Sequence, residues 1–333
     1  MLSVDFDISH IDVATHPELH HYTNFAGLSG ILQGNTIWAT HFSALNDTTE
    51  VTLLRDPLTR VVANRLLSYA IIRQGTDHLF SEFLTEHGGP QKVAFGDAHP
   101  LIKILYEKIF ASTLADPFIA SFCSHANDQS YEKENGLLSQ WRGYGNEFCI
   151  VFDTAALVTL LTAEFNAHNW LHLTIAPVCY GIDGNSVASM FPALIRQFEL
   201  FFSRTVDREN PIPDNESLTS LFITGATRFK HHAFREEREV RIVGIPATKP
   251  TLASFLREHP EHDSPGRWKK INVRDVKQIR YMALFDTLRA VLPIKIKRVI
   301  VGPSRNQNES YARARAVLLE GVPVTRSAIP FSG

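Results

Sequence analysis

The sequence predicts an α+β fold on a mixed or antiparallel β core, in one domain spanning 1–333 with a helical insertion at about 51–112. Three observations predict it. Apolar β-branched runs and helical periodicities interleave without a regular βαβ rhythm. The block from about Val51 to Ser112 reads as helix alone. The stretch Phe234-Arg235-Glu236-Glu237-Arg238-Glu239-Val240-Arg241-Ile242-Val243 passes from a charged helical run into a β-branched one, as expected at the entry to a buried strand.

Each element has a local reason. Leu19 to Thr23 is a short extended segment. Asn24 is placed to cap a helix whose apolar residues Phe25, Leu28, Ile31 and Leu32 follow helical spacing, and Gly34 is placed to end it. Thr36 to Thr40 reads as a strand, and Leu45-Asn46-Asp47-Thr48-Thr49-Glu50 as a polar loop. In the helical block, Leu53, Leu54, Leu58, Val61, Val62 and Leu66 form one apolar stripe. Leu101, Ile102, Ile104, Leu105, Ile109 and Phe110 form another. Pro117 to Ser124 and Glu147 to Phe152 read as strands, and Asp153 caps a helix to Phe165. His172 to Tyr180 is a further strand, with Pro177 marking an edge or a bulge. Helices are expected at about Ser186–Thr205 and Ser217–His232. Strands are expected at Val276 to Tyr281 and Ile296 to Val301, and a last helix at Asn306 to Leu319.

Composition narrows the function. A formal net charge of −2 over 333 residues gives no general polyanion-binding surface, though a local basic stripe from Arg228, Lys230, Arg235, Arg238 and Lys269-Lys270 remains open. Cys123, Cys149 and Cys179 are odd in number and have no paired spacing, which fits buried thiols in a reducing compartment. The start of the chain lacks a basic n-region and an apolar h-region, and no apolar run approaches the roughly 18 residues of a membrane span. The expectation is a cytoplasmic protein without membrane contact.

Dinucleotide, Walker A, HExxH, GxSxG and CxxC signatures are absent. What remains is a constellation: His21-Tyr22-Thr23 on a strand before a helix, Ser139-Gln140-Trp141-Arg142 with Tyr144, and Glu237 and Glu239 on a late strand. In an extended strand Glu237, Glu239 and Arg241 share a face, as either a salt-bridged surface or a site. A His and a Thr can hydrogen-bond a sugar, and an aromatic ring can stack on a heterocycle. A carboxylate can stabilise the positive charge that builds on ribose when an N-glycosidic bond breaks. Arg142 is suited to hold a phosphate bidentately, or to pair with Glu237 or Glu239.

The segments His21-Tyr22-Thr23, Leu45-Asn46-Asp47, Ser121-Phe122-Cys123-Ser124, Leu138-Ser139-Gln140-Trp141-Arg142-Gly143-Tyr144 and Phe234 to Arg241 resemble the bacterial family of unknown function DUF2971. More distantly, the chain is similar to the ADP-ribosyltransferase superfamily, which carries a His and a Thr on the first core strand and a (Gln/Glu)-x-Glu on a late one. Ser121 and Ser124 are loose stand-ins for that superfamily's Ser-Thr-Ser triplet. The resemblance implies the ADP-ribosyltransferase fold and NAD as substrate. His21 and Thr23 would hold the ribose, with Tyr22, Asn46, Ser121 and Arg142 in the same cofactor site. Trp141 or Tyr144 would stack on nicotinamide, Glu239 would be the catalytic carboxylate, and Glu237 would orient a protein or nucleic-acid acceptor. Two other classes stay open on the same residues. One is a binding module for a nucleotide or nucleic-acid end. The other is a nuclease with a divalent metal on His21, Glu237 and Glu239.

Overall fold

A computed structural model describes residues 9–45, 50–107, 116–125, 130–143, 147–181, 187–189, 192–207, 222–258, 266–274, 277–318 and 321–330. The chain divides into two compact units: Met1–Asn46, Pro117–Val178 and Ala233–Gly333 form the first, Asp47–Asp116 and Cys179–His232 the second. In chain order the strands are β1 (Glu18–Thr23), β2 (Ile37–His41), β3 (Phe118–Cys123), β4 (Phe148–Asp153), β5 (Trp170–Pro177), β6 (Cys179–Tyr180), β7 (Phe229–Lys230), β8 (Glu239–Pro246), β9 (Ile271–Val273), β10 (Arg280–Leu284), β11 (Ile296–Val301) and β12 (Val324–Arg326).

The first unit is built on one sheet in the order β12-β11-β4-β1-β3-β2-β10-β9, with β8 beside β3 and β5 beside β8. Its ladders are antiparallel except β11 with β12, so it is a mixed, mainly antiparallel sheet in an α+β arrangement. β8 follows β3 along its whole length, from Phe118 opposite Gly244 to Cys123 opposite Glu239. That fills one edge of β3, so β1 and β2 share the other in tandem. β1 touches it at Cys123, and β2 at Ile119 and Phe118. The sheet therefore forks at the middle of β3.

Strand alternation sorts the two faces. Leu19, Phe148, Ile150, Phe152, Phe118, Phe122, Val240 and Ile242 point into one large core with the helices Phe25–Gly34, Thr154–Ala167 and Gln307–Val317. Each such buried apolar side chain contributes roughly 1.5–3 kcal/mol. Asn24 caps the first of these helices, accepting the Gly27 N–H at 2.9 Å, and Asp153 caps the second, accepting the Ala156 N–H at 2.9 Å. The first helix runs through Gly34 and ends on Asn35 at φ +52°. Asn tolerates the left-handed region, and here its side chain also accepts the Ile294 N–H at 2.7 Å.

The opposite face, along β1, β4 and β11, is covered by the short helices Ser130–Asn135 and Leu138–Gly143 and by Ile329 of the C-terminal tail. Trp141, Cys149, Val151 and Ile300 make its core. Gly136 joins the two helices at φ +76°, where a side chain would run into the Trp141 ring at 2.7 Å.

Three segments differ from expectation. The charged run before β8 does not enter the strand: His232–Glu237 is a 3₁₀ turn, Arg238 has φ +46°, and the strand starts at Glu239. The expected strand Val276 to Tyr281 is displaced, because Lys277 and Gln278 at φ +67° and +51° form the turn and β10 begins at Arg280. The expected helix Ser217–His232 gives way to β7 near its end.

The second unit holds the helices Arg55–Gln74, His78–Glu86, Pro90–Tyr106 and Pro192–Asp207, with β6 and β7 paired in parallel. The stripe of Leu54, Leu58, Val61, Val62 and Leu66 is buried, as its spacing requires; of the second stripe Ile102 is buried and Ile104 is exposed. Ile109 and Phe110 lie outside the described residues. The helical block expected at about 51–112 thus falls in a unit that also takes in Cys179–His232, a junction of segments far apart in sequence. Among the described residues, no helix is long and apolar enough to cross a membrane.

Candidate functional site

The candidate site lies where β1, β3 and β8 adjoin. His20 is paired with Cys123, Cys123 with Glu239, and Ser121 with Arg241. Directly opposed residues of an antiparallel ladder put their side chains on the same face. His20, Ser121, Cys123, Glu239 and Arg241 therefore share one face, and Tyr22 lies on it as well. His21 and Thr23 project from the other face, where the His21 ring lies 5.5 Å from that of Phe122. The register thus brings Ser121, Glu239 and Arg241 together and sets His21 and Thr23 behind them.

Glu239 opens β8, where it is 6% exposed, and Arg241 is 2% exposed. Arg241 Nε and Nη2 each donate to a different oxygen of Glu239, both at 2.8 Å. This fork-to-fork pair fixes the carboxylate rotamer and satisfies charges that would be costly to bury alone. The sharing of a face by Glu239 and Arg241 follows the expected two-residue period. Glu237 does not join them, because the left-handed Arg238 breaks the alternation and leaves Glu237 half-buried at the end of the turn before the strand. Arg238 itself reaches Glu132 at 3.2 Å.

His21 stands at the fork. Beyond the His20–Cys123 pair the strands part, and His21 Nδ1 lies 3.0 Å from the Ser121 carbonyl. A carbonyl only accepts, so the neutral imidazole carries its proton on Nδ1 and keeps a lone pair on Nε2. Burial holds its pKa below the ordinary value against the raising effect of that bond. Thr23 packs on the first turn of the following helix: a side chain at Gly27 would meet its Oγ1 at 1.9 Å. The Tyr22 hydroxyl accepts the Leu137 N–H at 2.7 Å, and burial raises its pKa well above the ordinary range.

Trp141 is 4% exposed, donates its indole N–H to the Asn135 carbonyl at 3.0 Å, and meets the Tyr22 ring edge to face at 4.7 Å. It is a core anchor beneath the two short helices. Arg142 is exposed at the end of its helix, and Ser121 is exposed on β3. Ser124, next along the chain from Cys123, is buried with its hydroxyl 2.7 Å from His16 Nδ1. Asn46 and Tyr144 lie outside the described residues.

Two buried imidazoles escaped the sequence reading. His20 is fully buried, with Nε2 3.3 Å from the Lys133 carbonyl and Nδ1 without a partner. His125 is 1% exposed, neither ring nitrogen has a hydrogen-bond partner among the described residues, and its ring centre lies 4.5 Å from that of His20. Burial is the main cause that drives their pKa values down, to about 4 for His20 and about 3 for His125. No local sequence pattern marks the pair, because His20 reaches the face of Cys123 only through strand register. Among the described residues no group of three or more His, Cys, Asp or Glu side chains is arranged to hold a metal ion; His21, Glu237 and Glu239 do not form one.

Residues 140–242 match the family described as "Protein of unknown function (DUF2971)". The match supports the family resemblance. It covers Trp141, Arg142, Glu237 and Glu239, and leaves His21, Tyr22, Thr23 and Ser121 outside. No curated protein and no solved structure matches the chain.

Proposed function

We propose that this chain is an ADP-ribosyltransferase-like enzyme that takes NAD as substrate, breaks the bond between nicotinamide and ribose, and passes ADP-ribose to a macromolecular acceptor or to water. One observation carries this reading: β3, with Ser121, lies between the strand of His21-Tyr22-Thr23 and the strand that Glu239 opens. Three segments far apart in sequence become neighbours in one sheet. Glu239 is the group to stabilise the ribosyl cation, since its carboxylate is buried and held in one rotamer by Arg241. Glu237, in the turn just before, is free of the strand's alternation and is suited to orient an acceptor. His21, which stands at the fork on the other face of the sheet, is the resemblance's candidate for the ribose, and the lone pair of its Nε2 is the acceptor it would offer.

The test is nicotinamide release from NAD by the purified chain. Glu239→Gln is expected to abolish release while NAD binding persists, and full turnover in that variant would remove Glu239 from the chemistry. The register adds a second arm. His21→Ala is expected to raise KM for NAD more than kcat falls. If His20→Ala does this and His21→Ala does not, the sugar contact belongs to the face of Glu239.

A further inference from the structure

β2, β10 and β9 form an arm of the sheet whose outer face carries an aromatic and basic cluster. Trp38 stands opposite Ala283, Thr40 opposite Tyr281, and Tyr281 opposite Asn272, so all five share a face. The alternate residues Ile37, Ala39, Met282 and Leu284 are buried in the core, which leaves this face to solvent. Trp38 is 45% exposed, and its ring lies 4.4 Å from that of Tyr281. The guanidinium carbon of Arg274 sits 4.6 Å from the Trp38 ring centre and 5.6 Å from that of Tyr281.

Arg274 has five donors and no acceptor. Its Nε is buried without a hydrogen-bond partner, and among the described residues no carboxylate pairs with it. Stacking against two rings holds the guanidinium in place, so it is set for an anion that no described residue supplies. Lys270, two residues before Asn272, is exposed and adds a second cation. The exposed Trp38 ring and the half-buried Tyr281 ring, on a sheet beside such a guanidinium, match a ligand with flat apolar faces and repeated negative charge. Single-stranded nucleic acid has both, because its bases are free to lie on rings.

We propose that this face binds single-stranded nucleic acid, with bases stacked at Trp38 and Tyr281 and a backbone phosphate at Arg274. No residue of the Glu239 site takes part, so strand binding and nicotinamide release are separable by variant. The experiment is fluorescence anisotropy of the full chain with labelled oligo-deoxythymidine, oligo-uridine and a duplex of equal length, over a salt series. The single strands are expected to bind more tightly than the duplex. Trp38→Ala and Tyr281→Ala are each expected to weaken binding by about 5- to 100-fold. Arg274→Gln is expected to flatten the dependence of log affinity on log salt by about 0.7. A mononucleotide bound as tightly as the strands would show a nucleotide pocket instead. Equal affinity for duplex, no binding of either strand, or affinity unchanged in both Trp38→Ala and Arg274→Gln overturns the proposal. Self-association in sedimentation that Trp38→Ala abolishes would assign the face to a second copy of the chain, with the same consequence.

Discussion

Glu239 and Arg241 are both buried, and two 2.8 Å hydrogen bonds join the carboxylate to the guanidinium, so their contributions to stability are coupled. Arg241→Met is expected to lower stability by about 3–5 kcal/mol in urea unfolding. Adding Glu239→Gln to that variant should cost less than Glu239→Gln costs alone, since the bonds it would break are already gone. Strictly additive losses would mean the two side chains are not coupled. Catalysis and stability then separate: Glu239→Gln with Arg241 intact keeps a hydrogen-bond acceptor for the guanidinium and removes the negative charge that a ribosyl cation needs.

At the scale of elements, the turn between β1 and its following helix is built around a missing side chain. Gly27 lies in the first turn of that helix, and a Cβ there would overlap Thr23 Oγ1 at 1.9 Å and crowd Thr23 Cβ at 3.2 Å. Gly27→Ala is expected to cost about 1–3 kcal/mol despite the better helix propensity of alanine. Thr23→Ala in the Gly27→Ala background should return most of that, read as a recovered melting temperature. A Gly27→Ala chain that melts at or above the parent temperature would show that the two elements slide apart freely. The short helices on the opposite face have a different anchor. The Asn135 carbonyl accepts from Trp141 Nε1 at 3.0 Å and from Ser327 Oγ at 2.7 Å, and Asn135 Oδ1 accepts from the Ala328 N–H at 2.7 Å. One residue thus ties the covering helices to the C-terminal tail.

At the scale of the molecule, buried imidazoles set the response to acid. Burial lowers the pKa of His20 to about 4, and of His125 and His172 to about 3, from the ordinary 6.5. The folded values lie below the unfolded one, so the unfolded chain binds more protons in the interval between them. Their stability contribution is full above about 6.5 and is lost as pH falls, by up to about 1.4 kcal/mol per pH unit for each group. Glu18 adds a second phase. Burial works to raise its pKa, but hydrogen bonds and charge from Arg298 and Lys297 overcome this and bring it from 4.5 to about 2. Its stabilisation is present above about 4.5 and fades toward pH 2, in the same direction. Urea midpoints are therefore expected to fall between about pH 7.5 and about pH 5, and His125→Phe to make that fall shallower. A midpoint that stays constant across the interval would show that these imidazoles reach water.

Much of the local structure was legible in the residues. The caps at Asn24 and Asp153, the buried stripe of Leu54 to Leu66, and the common face of Glu239 and Arg241 all follow from chemistry within a few positions. Where local signals failed, backbone handedness intervened: Arg238, Lys277 and Gln278 adopt positive φ at positions without glycine, and no pattern of apolar residues marks that. The sequence by itself determined most of the strands and helices and the buried side of the helix Arg55–Gln74, because those choices rest on sterics and periodicity along the chain. Only the tertiary structure decided that β3 lies between β1 and β8, that His20 and not His21 shares the face of Glu239, and that Trp141 is buried while Trp38 is exposed. Those outcomes depend on strand register, and register is set by partners remote in sequence, where a shift of one residue turns every side chain to the other face.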